Sequence, residues 1–173
     1  MPYLSQPYVA RVATQFDVDT STTLVNVTDL VIPAANGDGP IIEKGGIYEI
    51  DVQLMTTSNV AAGVKAAINA SSSTTQILTA TALRNQILII DGAAAAPVTN
   101  ARQTVLGTGG GVTAVTVAVV MIKGFIVVNV PGGIAVQFAQ NASNAAASSV
   151  LTQSYFKLTR VDSSIQRIWQ TSA

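Results

Sequence analysis

The chain has no cysteine and no histidine, and it is short of charge and of aromatic rings: 10% of its residues are charged and 5% are aromatic. Without cysteine there are no disulfide staples and no thiolate metal site, and the redox compartment leaves no mark. Without histidine, the commonest general base and the commonest transition-metal ligand are both missing. Nine Lys and Arg balance nine Asp and Glu. The positive residues fall singly along the sequence, whereas nucleic-acid binding needs them clustered, so no nucleic-acid partner is expected. A charged fraction of about 25% is usual. A monomer so far below it has little to hold its surface in water, and burial of surface between subunits is the simplest remedy.

Long apolar runs are also missing. The longest, residues 112–122, contains Thr113 and Thr116 and stops at Lys123. A membrane-spanning helix needs about 20 apolar residues, so no membrane partner is expected either. The opening MPYLSQPYVAR has no basic stretch followed by an apolar core, which reads as no secretory signal and synthesis in a cytoplasm. Length suits one domain with its own core.

What the sequence does contain is period-two alternation. In 47–54, Tyr48, Ile50, Val52 and Leu54 fall on one face and Ile47, Glu49, Asp51 and Gln53 on the other. Residues 125–130 form an apolar, β-branched run closed by the turn Pro131-Gly132-Gly133. Ile134, Val136 and Phe138 then alternate with Ala135, Gln137 and Ala139, and Phe156 and Leu158 with Tyr155, Lys157 and Thr159. Further strands are expected at 9–16, 23–32, 64–70, 75–82, 86–90 and 102–106. Residues 112–128 read as one long strand bent or bulged near Gly124. Asn36-Gly37-Asp38-Gly39 between prolines marks a loop, and 107–111 a glycine-rich connection. About ten turn-punctuated strands without a long helix predict an all-β antiparallel sandwich.

Two phrases carry a family resemblance. VQFAQNASNAAASSVLTQSYFKLTRV, with GGIYEIDVQLMTTSNVAAGVKAAIN upstream, resembles a recurrent domain of tailed-bacteriophage structural proteins. The likeness spans roughly 23–161. It implies a jelly roll related to the C1q and tumour-necrosis-factor heads, assembling as trimers on the virion, with the sheet that holds 47–54 facing the trimer axis. The expected organisation is an extended arm over 1–15, the jelly-roll sandwich over 16–161 and a tail over 162–173. Pro2 and Pro7 keep the arm extended. Ile165, Ile168 and Trp169, spaced by three and four, suit one or two helical turns.

Catalytic chemistry finds little to stand on. Glu49 and Asp51 project from the same face of one strand about 7 Å apart, the spacing of an acid/base pair. They equally suit ion pairs with Lys157 or Arg160, within a subunit or across a trimer contact. The enzyme reading depends wholly on them, and no catalytic residue is expected. Asp17, Asp19, Asp38 and Glu43 carry oxygens that suit Ca²⁺ but lack the ligand spacing of an EF-hand loop, so no metal is expected. The 107–111 glycines end without Gly-Lys-Ser/Thr and lead into β-branched residues, so no phosphate loop and no cofactor is expected. Asn26, Asn69 and Asn141 head glycosylation tripeptides that mean nothing without secretion.

The expected job is that of a non-enzymatic virion structural protein, a homotrimeric decoration or cement protein on the exterior of a bacteriophage capsid, made in the host cytoplasm. Its partners would be itself and the major capsid protein or other virion proteins. Glu49, Asp51, Tyr155, Lys157 and Thr159 are the candidates for the trimer interface. Tyr3, Tyr8, Ile165, Ile168 and Trp169 are the candidates for contact with the capsid or a neighbour. A head-fibre, tail-fibre or baseplate domain that binds a host receptor or glycan is the alternative.

Overall fold

A computed structural model describes residues 7–36, 39–71, 79–92 and 97–161. Tyr3, Asp38, Ile165, Ile168 and Trp169 lie outside the described residues. Every element among those described is a β-strand or a turn, and every strand pairing is antiparallel. Numbered in chain order, the large sheet runs β1 (Tyr8–Arg11), β14 (Tyr155–Arg160), β6 (Ile47–Thr57), β11 (Val117–Val130), β8 (Thr79–Asp91) and β9 (Pro97–Gln103). Two short strands, β13 (Ser148–Val150) and β2 (Phe16–Val18), extend it beside the end of β6. The small sheet runs β10 (Gly110–Val112), β7 (Val64–Ala70), β12 (Ile134–Ala139) and β3 (Val25–Ile32). A minor hairpin joins β4 (Ala35–Asn36) to β5 (Gly39–Pro40).

Setting aside four short pieces off the main sheet order (β2, β4, β5, β13) and the β8–β9 hairpin leaves eight strands. In chain order they lie first-eighth-third-sixth in the large sheet and second-seventh-fourth-fifth in the small one. The chain therefore crosses between sheets at nearly every connection, and the fold is a jelly-roll β-sandwich. The β8–β9 hairpin is an insert between the fourth and fifth strands, β7 and β10. It leaves the small sheet and adds two strands to the large one beyond β11.

The period-two faces land as their sequence pattern requires. Tyr48, Ile50, Val52 and Leu54 are buried, as are Ile134, Val136, Phe138, Phe156 and Leu158. They join Val120 and Ile122 of β11, Ile87 and Ile89 of β8, and Leu30 and Ile32 of β3 in one core between the sheets. Each such side chain contributes about 1.5–3 kcal/mol on leaving water. Ala135, Gln137 and Ala139 are buried as well, so β12 is covered on both faces. Gln137 is satisfied there by an amide ladder: its Nε2 donates to Asn26 Oδ1 at 3.0 Å, and Asn69 Nδ2 donates to its Oε1 at 3.2 Å.

Several expected boundaries shift. The strand expected at 9–16 is two strands, β1 and β2, with a break between them. Residues 79–91 form one continuous strand with no joint at 83–85, because Leu83, Arg84 and Asn85 alternate in register with β11. The strand expected at 102–106 instead ends at Gln103, and its run begins at Pro97. The long run from Val112 breaks at 113–116, where Ala114 takes φ 62°, and then continues as one strand to Val130, in register with β8 past Gly124, with the irregularity falling between Val127 and Val130. Part of the glycine-rich connection is itself strand, since Gly110 and Gly111 pair with β7.

Candidate functional site

The large sheet has one face on the core and one on solvent, and the solvent face gathers the residues singled out from the sequence. Register fixes who stands beside whom. Tyr155 lies opposite Gln53, Lys157 opposite Asp51 and Thr159 opposite Glu49. On the other side of β6, Met121 lies opposite Gln53, Lys123 opposite Asp51 and Phe125 opposite Glu49. Glu49, Asp51, Tyr155, Lys157 and Thr159 therefore form one continuous patch across β14 and β6. Tyr8, on β1, pairs with Leu158 and packs against the core, so its ring points away from this patch. The span expected as an arm thus contains β1, hydrogen-bonded to β14.

The ion pairs differ from those expected. Asp51 pairs with Lys123, Nζ to Oδ1 at 3.5 Å, although Lys157 stands on its other side. That Asp51 oxygen is buried and accepts no hydrogen bond from the protein among the described residues. Arg160 pairs with Glu43, Nη1 to Oε2 at 2.6 Å. Glu49 is exposed between Thr159 and Phe125. Among the described residues no group of three or more acidic side chains is placed to hold a metal ion. At the corner of the same face, hydrogen bonds from Ser149 and from Gln15 hold the Asp17 carboxyl below its ordinary value of 3.8.

Toward the Thr57 end the face turns apolar. Met55, Val119 and Ile90 form one cross-strand row, Met121 and Leu88 the next, and Val117 is 48% exposed. β11 is thus apolar on both sides over most of its length, the pattern of a strand with both faces covered. Met55, Leu88, Ile90, Val119 and Met121 are half-buried, and no strand among the described residues packs over them.

Toward the β9 edge the face is cationic. Lys123, Gln86 and Arg102 form one row across β11, β8 and β9, and Arg84 stands two residues along β8, opposite Phe125. These side chains, with Asn100 and Thr104, border a hollow of about 690 Å³. A second hollow of about 490 Å³ lies near β1 and β14, bordered by Arg11, Asp51, Tyr155 and Lys157. Over the six long strands, Arg11, Arg84, Arg102, Lys123 and Lys157 face outward against Glu49 and Asp51, five cations to two carboxylates. The chain as a whole is neutral, so this face is balanced by negative charge elsewhere. Reading Lys and Arg as scattered singly missed this clustering, because adjacent strands bring together residues dozens of positions apart.

No family model matches the chain, and no curated protein does. Among the solved structures that align with it are two of infectious bursal disease virus. A structure of the Gt strain is 11% identical with TM-score 0.24, and covers 99% of this chain and 43% of its own. The VP2 subviral particle is 10% identical with TM-score 0.23, and covers 98% of this chain and 44% of its own. The chain thus spans less than half the length of the proteins it aligns with. Among the described residues, no helix is long and apolar enough to cross a membrane.

Proposed function

We propose that the chain is a non-enzymatic virion structural protein: a homotrimer that decorates the outer surface of a bacteriophage head. The observation that carries this reading is the outward apolar area at the Thr57 end of the large sheet, formed by Met55, Leu88, Ile90, Val117, Val119 and Met121, over which no described strand packs. Apolar patches of this kind on a charge-poor chain mark association surfaces. Next to it along the strands runs the charged row of Lys157, Asp51 and Lys123, so the face joins an apolar area to a polar border, as interfaces do. The occupant is a second and third copy of this chain, because that border carries both signs: Glu49 and Asp51 of one copy complement Arg11 and Lys157 of the next, and Arg84 and Arg102 at the β9 edge stay outside the contact. Threefold symmetry and the capsid exterior come from the resemblance to C1q-like phage domains. Residues outside the sandwich would contact the major capsid protein.

The test is mass, then docking. Light scattering of purified protein is expected to give three times the chain mass of 17.8 kDa. The protein added to heads that lack it should co-sediment with them. A stable single subunit at micromolar concentration would overturn the trimer, and failure to bind any head would overturn decoration.

A further inference from the structure

The β8–β9 hairpin is an addition to the jelly-roll topology, which the other eight strands define, although its Ile87 and Ile89 join the core. What the hairpin adds is three walls of the 690 Å³ hollow, through Arg84, Arg102 and Asn100. The cations there are under-neutralised. Lys123 has Asp51 at 3.5 Å. Arg84 Nη1 donates to its neighbour's carbonyl, Leu83 O, at 2.9 Å, and has no carboxylate partner among the described residues. Arg102 has no hydrogen bond or ion pair to any described residue. Neighbouring strands lie about 5 Å apart, and two residues along a strand span about 7 Å. The three positive groups therefore sit close enough to repel one another, an arrangement that costs stability unless an anion joins it.

We infer that this hollow binds an acidic saccharide, a sugar carrying a carboxylate or a sulfate. The guanidinium groups supply paired donors whose geometry matches either anion. A bare anion would need only these. The remaining border is suited to a neutral, hydroxyl-rich ring. Gln86 Nε2 donates to Asn100 Oδ1 at 3.0 Å, which orients both amides and leaves the Gln86 carbonyl and the Asn100 amine for hydroxyl groups. Phe125, 48% exposed, offers a flat apolar surface for the C–H face of a sugar. The volume is that of small-ligand clefts, roughly 300–1,000 Å³, and a concave site favours such a ligand over a protein face. Two carboxylates stand near this end, both on β6 and so two strands from Arg84: Asp51, held against Lys123, and Glu49, beyond Phe125.

Calorimetric titration of the full chain with 3′-sialyllactose, a sulfated disaccharide, lactose and inorganic sulfate tests this, with mass measured on the same samples. One or both acidic sugars should bind, with lactose and inorganic sulfate at least about tenfold weaker, and which acidic sugar binds identifies the anion. The double variant Arg84→Ala/Arg102→Ala should lose the binding. Phe125→Ala should weaken the sugar about tenfold and leave sulfate unchanged. All three positions are exposed, so the variants should fold. Equal binding of lactose overturns the inference. So does sulfate bound as tightly as the sugars and indifferent to Phe125→Ala, which would mean an adventitious ion only. Absence of binding, with the double variant changing the mass, would assign the cations to a contact between subunits. Sugar binding by single subunits would keep the inference while sinking the trimer.

Discussion

Gln103 is fully buried, yet its side-chain amide is used by the backbone of the opposite sheet. Its Oε1 accepts from Ile68 N–H at 3.1 Å, and its Nε2 donates to Ile68 C=O at 2.6 Å and to Val105 C=O at 3.2 Å. β10 pairs only with residues 64–66 of β7, so beyond Ala66 that edge has no strand beside it. One amide from the large sheet stands in for the missing ladder, and Gly107 N–H also donates to Ile68 C=O at 2.9 Å. In Gln103→Met the carbonyl keeps Gly107 but the Ile68 N–H is left buried without an acceptor. The expected cost is about 1–3 kcal/mol. Hydrogen exchange at the Ile68 amide should quicken more than at Ala66, whose edge stays paired. An unchanged denaturation midpoint would show that the amide contributes nothing. Nothing in the sequence marks this residue. A glutamine ending a polar segment reads as surface, and only the closure of two sheets gives it a buried partner.

At the scale of the element, the strands whose two faces differ were legible from alternation alone, and those uniform on both faces were not. Tyr48, Ile50, Val52 and Leu54 against Glu49, Asp51 and Gln53 placed β6 correctly on the core. In β8, polar Arg84 and Asn85 fall between apolar runs and imitate a turn. They are strand because β11 accommodates them: Phe125 lies beside Arg84, and Gly124 beside Asn85. Asn85 is buried, and it takes the inward volume that a side chain at 124 would claim. A Cβ on Gly124 would run into the Arg84 carbonyl oxygen and come within 2.5 Å of Asn85 Oδ1. The glycine that reads as a bend is thus a close backbone approach inside a continuous strand. Gly124→Val should lower stability by at least about 2 kcal/mol, as overpacking does. Chemical denaturation measures it. If Gly124→Val matched the parent protein, the strand pairing of β8 with β11 would be in error.

At the scale of the whole molecule, the sandwich was legible because about ten short strands with an apolar face have few ways to close, and the jelly roll was what the family resemblance implied. The candidate interface was legible only in part. Glu49, Asp51, Tyr155, Lys157 and Thr159 do share a face, since period two decides that within each strand and the pairing of β14 with β6 decides it between them. Its apolar part was hidden in β11, where residues 117–122 are apolar without alternation and so show no outward face. The structure splits that run: Val120 and Ile122 are fully buried, while Val117, Val119 and Met121 look outward. Adjacent residues therefore make opposite predictions from the same substitution. Val120→Asp places an unpaired charge among core side chains, and the chain should not fold. Val119→Asp places it on the outward row between Met55 and Ile90, where a single subunit tolerates it and an apolar subunit contact does not. The expected product is a soluble, strand-rich chain at the single-subunit mass, seen by light scattering beside an unchanged circular dichroism spectrum. If Val119→Asp still assembled like the parent, this apolar area would not be the surface that joins copies, and the charged row beside it would lose its meaning as the border of a contact.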